Sequence, residues 1–308
     1  MLTNKTVLVI VVTYNGVEWL RDCLSSVPRD DERIKGMVVD NGSTDDTVRV
    51  IREEFSYIKL IESKENLGFG AANNIGFQYA LNNGFDYVYL LNQDAWIAPE
   101  DILRLVEIAE TNPDYGIISP LQVYRNLSCI DRNFFSQLSY SLINDFVAGN
   151  ARKTLYDVRP GGMVQAAHWL MRTAAVRTVG GFSPAFYHYG EDGDYCRRAR
   201  FHGYKIGIAP AIKAVHDREK RATTSEKEIY LFMQQWKKIL IDPSLSAKRA
   251  YWEVLMIFIR KIPYLRGKLV FPFFKTLLAS IKFMRYKTEN KKQGVFLSLT
   301  EGKDLSDM

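Results

Sequence analysis

The chain has 308 residues, three cysteines and a formal net charge of +6, long enough for one large domain or for a domain with an appendage. A hydrophobic fraction of 47% and a charged fraction of 25% are those of a folded globular protein, and no run reaches the roughly 18 uninterrupted apolar residues that a membrane-crossing helix needs. The charge is uneven: Lys248 to Lys292 carries twelve Lys and Arg against Glu253 and Glu289, a net +10 that leaves −4 for the rest.

The opening VLVIVV (7–12) is a continuous apolar run of the kind buried in a parallel sheet, and it is too short for a signal peptide. Cys23, Cys129 and Cys196 are an odd number without metal-type spacing, which points to a reducing compartment. A cytoplasmic protein, peripheral to the inner face of the cell membrane, is expected.

The segment TYNGVEWLRDCLSSV repeats its apolar residues with a helical period, and GMVVD is a second strand. NGSTDDTVRVIREEF supplies an N-cap cluster and a helix. IKLIES is a short third strand, followed by a Gly- and Asn-rich loop and the helix GAANNIGFQYALNN. DYVYLL is a fourth strand that stops at Asn92-Gln93-Asp94. Strand and helix alternating over short connections predict a parallel α/β sheet. Segment 117–215 is less regular: MVQAAHWLMRTAAVRTVGGF reads as a strand and a helix, and EDGDYCRRARFHGYKIGIAP as a helix ended by Gly203 and then a strand. Beyond about residue 222 the pattern is helical, and the tail is polar.

The ends of the four strands form a constellation. They finish at Thr13-Tyr14-Asn15, Asp40-Asn41-Gly42-Ser43, Asn66-Leu67-Gly68 and Asn92-Gln93-Asp94. Parallel strands would bring these polar groups to one edge of the sheet, where α/β proteins bind nucleotides. Any one cluster alone is ordinary turn and cap chemistry; four in register are not. Neither G-x-x-x-x-G-K-[ST] nor G-x-G-x-x-G occurs, which argues against nucleotide hydrolysis and hydride transfer.

The motifs VVTYNG, VVDNGSTDDT, NLGFGAANNIGF, LLNQD, GGFSPAFYHYGEDGDYCRRARFHGY and VHD follow one another as in glycosyltransferase family 2. The chain resembles that family over residues 5–218, and most of all its bacterial rhamnosyltransferase-like members of polysaccharide assembly. The resemblance implies a GT-A fold, a mixed and mostly parallel central sheet flanked by helices, here with a C-terminal helical extension. It implies inverting transfer of a sugar, rhamnose ahead of galactose or another hexose. The donor would be a dTDP- or UDP-sugar, and the acceptor a hydroxyl of a lipid-linked or growing glycan. The expected divisions are a catalytic domain at 1–221, with its nucleotide-sugar half at 1–115 and its acceptor half at 116–221, an extension at 222–290 and a polar tail at 291–308.

The resemblance also implies roles for particular residues. Asp40 would contact the base or ribose, with Thr13, Tyr14 and Asn15 lining the same pocket, and Asn66 and the Gly68–Asn73 loop would close over the nucleotide. Asn92, Gln93 and Asp94 stand at the family's acidic motif, with Asp94 on the side of a Mg²⁺ or Mn²⁺ ion. Asn92 departs from the pattern, because a carboxylate is frequent there. Asp192 would be the general base, beside Glu191. His216 would be a second metal ligand, or else a strand-end cap.

Physical chemistry supports such roles independently. The attacking hydroxyl must lose a proton, which a carboxylate in reach can take, and a divalent cation neutralises the charge on the leaving diphosphate. Glu191, Asp192 and Asp194 fall within four positions, so mutual repulsion should raise the pKa of at least one. The plainer alternative is acidic residues at a helix N-terminus. His168 and Trp169 suit an acceptor-stacking wall, with Asp194 nearby, or, for Trp169, the core. Two rival functions are a non-catalytic sugar-nucleotide or glycan-binding protein on the same fold and a nucleotidyltransferase, which would want a basic Gly-rich loop after the first strand.

The segment 248–292 is aromatic, apolar and basic together, which predicts amphipathic helices on an anionic membrane surface. So much apolar surface argues against nucleic acid as the partner. A helical extension packed on the catalytic domain, or on a second copy in a homodimer, is the alternative.

Overall fold

The computed structural model describes residues 4–127, 129–138, 143, 158–217, 224–261 and 270–297. The polar tail beyond Leu297 lies outside them, as do Pro263 and Gly267 of the basic segment.

The first half alternates strand and helix: β1 (Val7–Thr13), α1 (Leu20–Leu24), β2 (Ile34–Asp40), α2 (Thr47–Glu54), β3 (Lys59–Glu62), α3 (Phe69–Asn82) and β4 (Tyr87–Asn92). Strands β3-β2-β1-β4 lie side by side and parallel, with Thr13 beside Asp40 and Val12 beside Asn92. The strand ends therefore share one edge. After β4 come β5 (Ala95–Trp96), α4 (Pro99–Thr111) and β6 (Tyr115–Val123). Pro99, Glu100 and Asp101 in the first turn of α4 are suited to a helix start.

The remaining elements are α5 (Arg132–Phe135), β7 (Arg159–Pro160), β8 (His168–Arg172), α6 (Thr173–Val179), α7 (Glu191–Phe201), β9 (Lys205–His216), α8 (Ser225–Leu240), α9 (Ala247–Lys261) and α10 (Val270–Glu289). Strand β8 runs antiparallel between β4 and β6, and β9 lies parallel to β6 on its other side. The result is a mixed, mostly parallel sheet. The expectation of a less regular segment over 117–215 missed β6, and no element was read where α4 lies. Strand β6 runs unbroken from Tyr115 to Val123 and is buried almost throughout, but its register against β9 shifts at Pro120, which has no amide N–H to give the ladder.

The core follows the two-residue period of the strands. Along β1, Leu8 and Ile10 face one side with α3, α6 and α7, while Val7, Val9 and Val11 face the other with α1, α2 and α4. A third cluster joins the C-terminal helices: Trp236, Ile239 and Leu240 of α8 meet Ala250, Val254 and Phe258 of α9 and Phe273 of α10. Helices α9 and α10 pack against each other, with Phe258 stacked on Phe273 at 3.9 Å and Tyr251 hydrogen bonded to Ser280 at 2.8 Å. Phe186, from the loop before α7, inserts into this cluster.

Candidate active site

The nucleotide edge is tied together by its own polar groups. Asp40, at the end of β2, is buried, and its two carboxylate oxygens accept the Thr13 hydroxyl at 3.1 Å and the Ser43 amide at 2.9 Å. Asn15 sits in the left-handed region at φ 47, which Asn tolerates better than most residues. Its Oδ1 accepts from the Thr44 amide at 2.8 Å, and its own amide donates to Ser43 Oγ at 2.9 Å. Gln93 braces the chain after β1: its Oε1 accepts from the Tyr14 amide at 2.8 Å. The Tyr14 ring is left exposed.

Asn41 links this edge to the loop before α3, donating to Asn66 Oδ1 at 2.9 Å and accepting from the Leu67 amide at 2.7 Å. Gly68 follows at φ 84, and a Cβ there would lie 2.4 Å from the carbonyl oxygen of Tyr187. Only glycine permits both that conformation and that approach. The Tyr187 hydroxyl donates to the Asn66 carbonyl at 3.0 Å. The Asn66 loop and the segment leading to α7 are therefore one assembly. Asn73 is directed elsewhere, its amide donating to the Phe69 carbonyl of its own helix at 2.9 Å.

Asp94 and His216 meet at the far end of the edge. Ala95 pairs with His216, the Asp217 amide donates to the Asp94 carbonyl at 2.8 Å, and His216 Nε2 lies 3.5 Å from Asp94 Oδ1. His216 is buried while Asp94 is partly open to solvent. Nearby in sequence, Asn92 Oδ1 is buried and has no hydrogen-bond partner among the described residues. An imidazole, a carboxylate and an orphaned amide oxygen suit a Mg²⁺- or Mn²⁺-type cation completed by ligands from outside the protein. No group of three or more His, Cys, Asp or Glu forms a closed metal cage among the described residues.

The carboxylate cluster opens α7. Tyr189 at φ 63 and Gly190 at φ 102 turn the chain into the helix, and the tyrosine is a bulky residue in a sparsely populated region, a strain of the kind found at functional sites. The three acidic side chains then diverge. Glu191 is buried, its Oε2 unpartnered, and burial, followed by repulsion from Asp192, pushes its carboxyl up to about 8. Asp192 is half-buried and accepts the Gly193 amide at 2.6 Å. Asp194 is fully buried, held by Arg198 at 2.9 Å and by Asn290 at 3.1 Å, and burial raises its pKa.

Burial corrects the acceptor-side expectation for His168 and Asp194, and for Trp169 it decides between the two expectations in favour of the core. His168 is enclosed within the sheet: its Nε2 donates to the Val215 carbonyl and its Nδ1 accepts from the Tyr89 hydroxyl, both at 2.8 Å. Burial pushes its pKa down to about 3, so it is a neutral structural imidazole. Trp169 stacks among Phe182 and Tyr195 in the core, with no exposed surface. Asp194 faces Arg198 and Asn290 rather than an open pocket.

The sequence reading missed what the C-terminal helices bring. Lys238 of α8 lies over Gly193 and exerts a favourable charge on Glu191, and the Cβ of Gln234 lies 3.4 Å from where a side chain on Gly190 would begin. Gln234 Oε1 is itself buried without a partner. No local pattern announces residues delivered more than forty positions downstream.

Residues 8–154 match the family model for glycosyl transferase family 2, and residues 87–286 that for glycosyl transferase family group 2. The N-acetylglucosaminyl-diphospho-decaprenol L-rhamnosyltransferase of Mycobacterium tuberculosis (strain H37Rv) is 26% identical over 258 residues, covering 73% of this chain and 83% of that one. The low-salt glycan biosynthesis hexosyltransferase Agl10 of Haloferax volcanii is 24% identical and covers 83% and 86%. Rhamnosyltransferase WbbL of Escherichia coli K12 is 24% identical and covers 68% and 83%. Among solved structures, S. aureus TarS 1-349 in complex with UDP-GlcNAc superposes with a TM-score of 0.56 at 15% identity, over 93% of this chain and 88% of that one. Mannosyltransferase PcManGT from Pyrobaculum calidifontis, in complex with GDP-Man and Mn²⁺, gives 0.52 at 18% identity, over 93% and 76%. The fold shared with these enzymes is GT-A.

Proposed function

The chain belongs to glycosyl transferase family 2, the family-group match alone spanning residues 87–286, and on that premise we propose that this glycosyltransferase is an inverting rhamnosyltransferase of surface-glycan assembly. It would take rhamnose from a dTDP- or UDP-sugar and add it to a hydroxyl of a sugar carried on a polyprenyl diphosphate. Relatives that act as rhamnosyltransferases, one of them on a sugar-diphospho-decaprenol, support this choice of donor and acceptor.

The observation that carries the proposal is the joining of the nucleotide edge to the carboxylate turn through Tyr187, Asn66 and Gly68. Thr13, Tyr14, Asn15 and Asp40 would receive the nucleoside, and Asn66 and Gly68 would cover it. Asp192 would then stand at the acceptor side. Its carboxylate takes the proton of the attacking hydroxyl as that oxygen bonds to the anomeric carbon. The bond from the anomeric carbon to the phosphate oxygen breaks, and its electron pair leaves with the nucleoside diphosphate. Attack opposite the leaving group inverts the anomeric centre. Glu191, protonated at neutral pH, would keep the second negative charge of the pair off the turn.

Asp94, His216 and Asn92 would hold a Mg²⁺ or Mn²⁺ ion on the diphosphate side, where the cation supplies charge neutralisation for the leaving group. Gln93 would fix the β4 end against Tyr14. A bound cation accompanies the donor in one fold neighbour, which supports the assignment.

No helix among the described residues is long and apolar enough to cross a membrane. We place the enzyme on the cytoplasmic membrane surface through α9 and α10. Trp252, Leu255 and Ile259 share the outer face of α9, and Phe271, Phe274, Leu278 and Ile281 that of α10. Trp252 is 61%, Phe271 77%, Leu278 79% and Ile281 81% exposed. Lys248, Arg249, Arg260, Lys275, Lys282 and Arg285 accompany them, the composition of a helix lying in an anionic interface.

The direct test is incubation of the protein with dTDP-rhamnose or UDP-hexoses, a farnesyl-diphosphate-linked N-acetylglucosamine and Mn²⁺. Transfer of rhamnose with inverted anomeric configuration is expected. Transfer of a hexose but not rhamnose would overturn the donor, and retention of configuration would overturn the mechanism.

A further inference from the structure

We infer that the cleft between α10 and the loop before α7 binds the diphosphate and first isoprene units of a lipid-linked acceptor. The inference rests on the reading that the acceptor is carried on a polyprenyl diphosphate. The cleft, about 590 Å³, is walled on one side by Pro184 and Ala185 and on the other by Ile281, Lys282, Phe283, Arg285 and Tyr286. Beneath it, Lys237 of α8 donates to the Ala185 carbonyl at 2.8 Å and lies against the Phe186 and Phe283 rings, so loop and helix are fixed to each other.

Its chemistry is divided in the way an isoprenyl diphosphate is divided. Ile281 prolongs the exposed apolar row of Phe271, Phe274 and Leu278, which offers a path for a hydrocarbon chain leaving the membrane. Lys282 directly follows Ile281 and Arg285 comes one helical turn on, two cations neither of which has a carboxylate partner among the described residues. Arg285 is steadied instead by the Tyr286 hydroxyl at 2.6 Å and by the ring beneath it. A compact dianion at the root of an apolar chain satisfies both halves.

The position also suits the reaction. Ala185 precedes Asp192 by seven residues, so the cleft wall lies within roughly 25 Å of that carboxylate even along a fully extended chain. A diphosphate held there lies within that reach of the catalytic turn. A glycan offered without the lipid diphosphate would lose this anchor.

The test is calorimetric titration of the full-length protein with farnesyl diphosphate, inorganic diphosphate and farnesol. Farnesyl diphosphate is expected to bind best, and the K282Q/R285Q variant to bind it at least about tenfold more weakly, as expected for two lost charge-assisted contacts. The K282R/R285K exchange, which keeps both charges, should bind clearly better than K282Q/R285Q, separating loss of charge from loss of fold. Equal binding of farnesyl diphosphate by K282Q/R285Q and the parent overturns the inference, as does equal binding of inorganic diphosphate and farnesyl diphosphate. If rhamnosyl transfer to a lipid-linked acceptor is observed while K282Q/R285Q binds normally, the cleft is wrong and the activity stands. If binding falls in the variant but no lipid-linked acceptor is used, the cleft stands and the assigned activity falls.

Discussion

Asp194 and Arg198 face each other one helical turn apart, Oδ2 to Nε at 2.9 Å, and neither side chain reaches solvent. Arg198 also donates to the carbonyls of Val179 at 2.8 Å and Gly181 at 2.7 Å, and Asn290 donates to the other oxygen of Asp194. Replacing Arg198 by Met leaves a buried carboxylate with one neutral partner. We expect a loss of about 3–5 kcal/mol in folding free energy, read by urea denaturation. A change below about 1 kcal/mol would refute this role.

Glu191 gives the protein a pH-dependent stability with a defined sign. Its carboxyl is raised from 4.5 to about 8 in the folded chain, mainly by burial and then by Asp192. Between those values the unfolded chain releases the proton and the folded chain keeps it, so stability falls as pH rises across that window and levels off above it. The E191Q variant cannot ionise. It should gain on the parent by up to a few kcal/mol on going from pH 4.5 to pH 8, measured by denaturation at fixed salt. Parallel stability curves for the two proteins would contradict the assignment.

Removing the base should separate chemistry from binding. Asp192→Asn is expected to lower turnover by roughly 10²–10⁴-fold while nucleotide-sugar affinity stays close to the parent value. A rate within a few-fold of wild type in a single-turnover assay would reject Asp192 as the base.

The proposed cation site is expected to be weak on its own, having one carboxylate and one imidazole, with the Asn92 amide two residues before Asp94. Mn²⁺ binding followed by electron paramagnetic resonance should tighten when a nucleoside diphosphate is added. Asp94→Ala should weaken that ternary binding by roughly 10–100-fold, and His216→Ala by less. Equal Mn²⁺ binding with and without nucleotide would count against a shared site.

Membrane attachment is best probed by point changes on the outer face of α10. F271S/L278S should lower binding to phosphatidylglycerol vesicles at least about tenfold, since each apolar side chain contributes roughly 1.5–3 kcal/mol when withdrawn from water. Thermal unfolding should not change, because both side chains are already exposed. Unaltered vesicle sedimentation would remove α10 from the interface.

Much of the fold was legible because β1 to β4 obey local rules: apolar runs, short connections, and polar residues at each carboxyl end. The edge that joins Thr13, Asp40, Asn66 and Asp94 followed from that alone. The second half resisted for two physical reasons. Pro120 interrupts the register of β6, and β8 lies between β4 and β6 in the opposite direction, a placement no periodicity encodes. Burial of His168 and Trp169 is a consequence of that placement, and an aromatic pair on a strand end carries no mark of whether its face will be covered. Among the three carboxylates at 191–194, spacing located the cluster, but only the packing of α7 separated Glu191, Asp192 and Asp194 into a protonated, a half-open and an ion-paired group.

The chain closes on itself late. Beyond α10, Asn290 reaches Asp194, the Gly294 amide donates to the Thr178 carbonyl, the Val295 carbonyl accepts the Gly181 amide, and Asn74 donates to the carbonyl of Phe296. The interior of the transferase is thus completed by residues made some seventy-five positions after His216. During synthesis the amphipathic helices emerge before the residues that seal the core behind them. A nascent chain that has completed α10 therefore still lacks the residues that close its catalytic half.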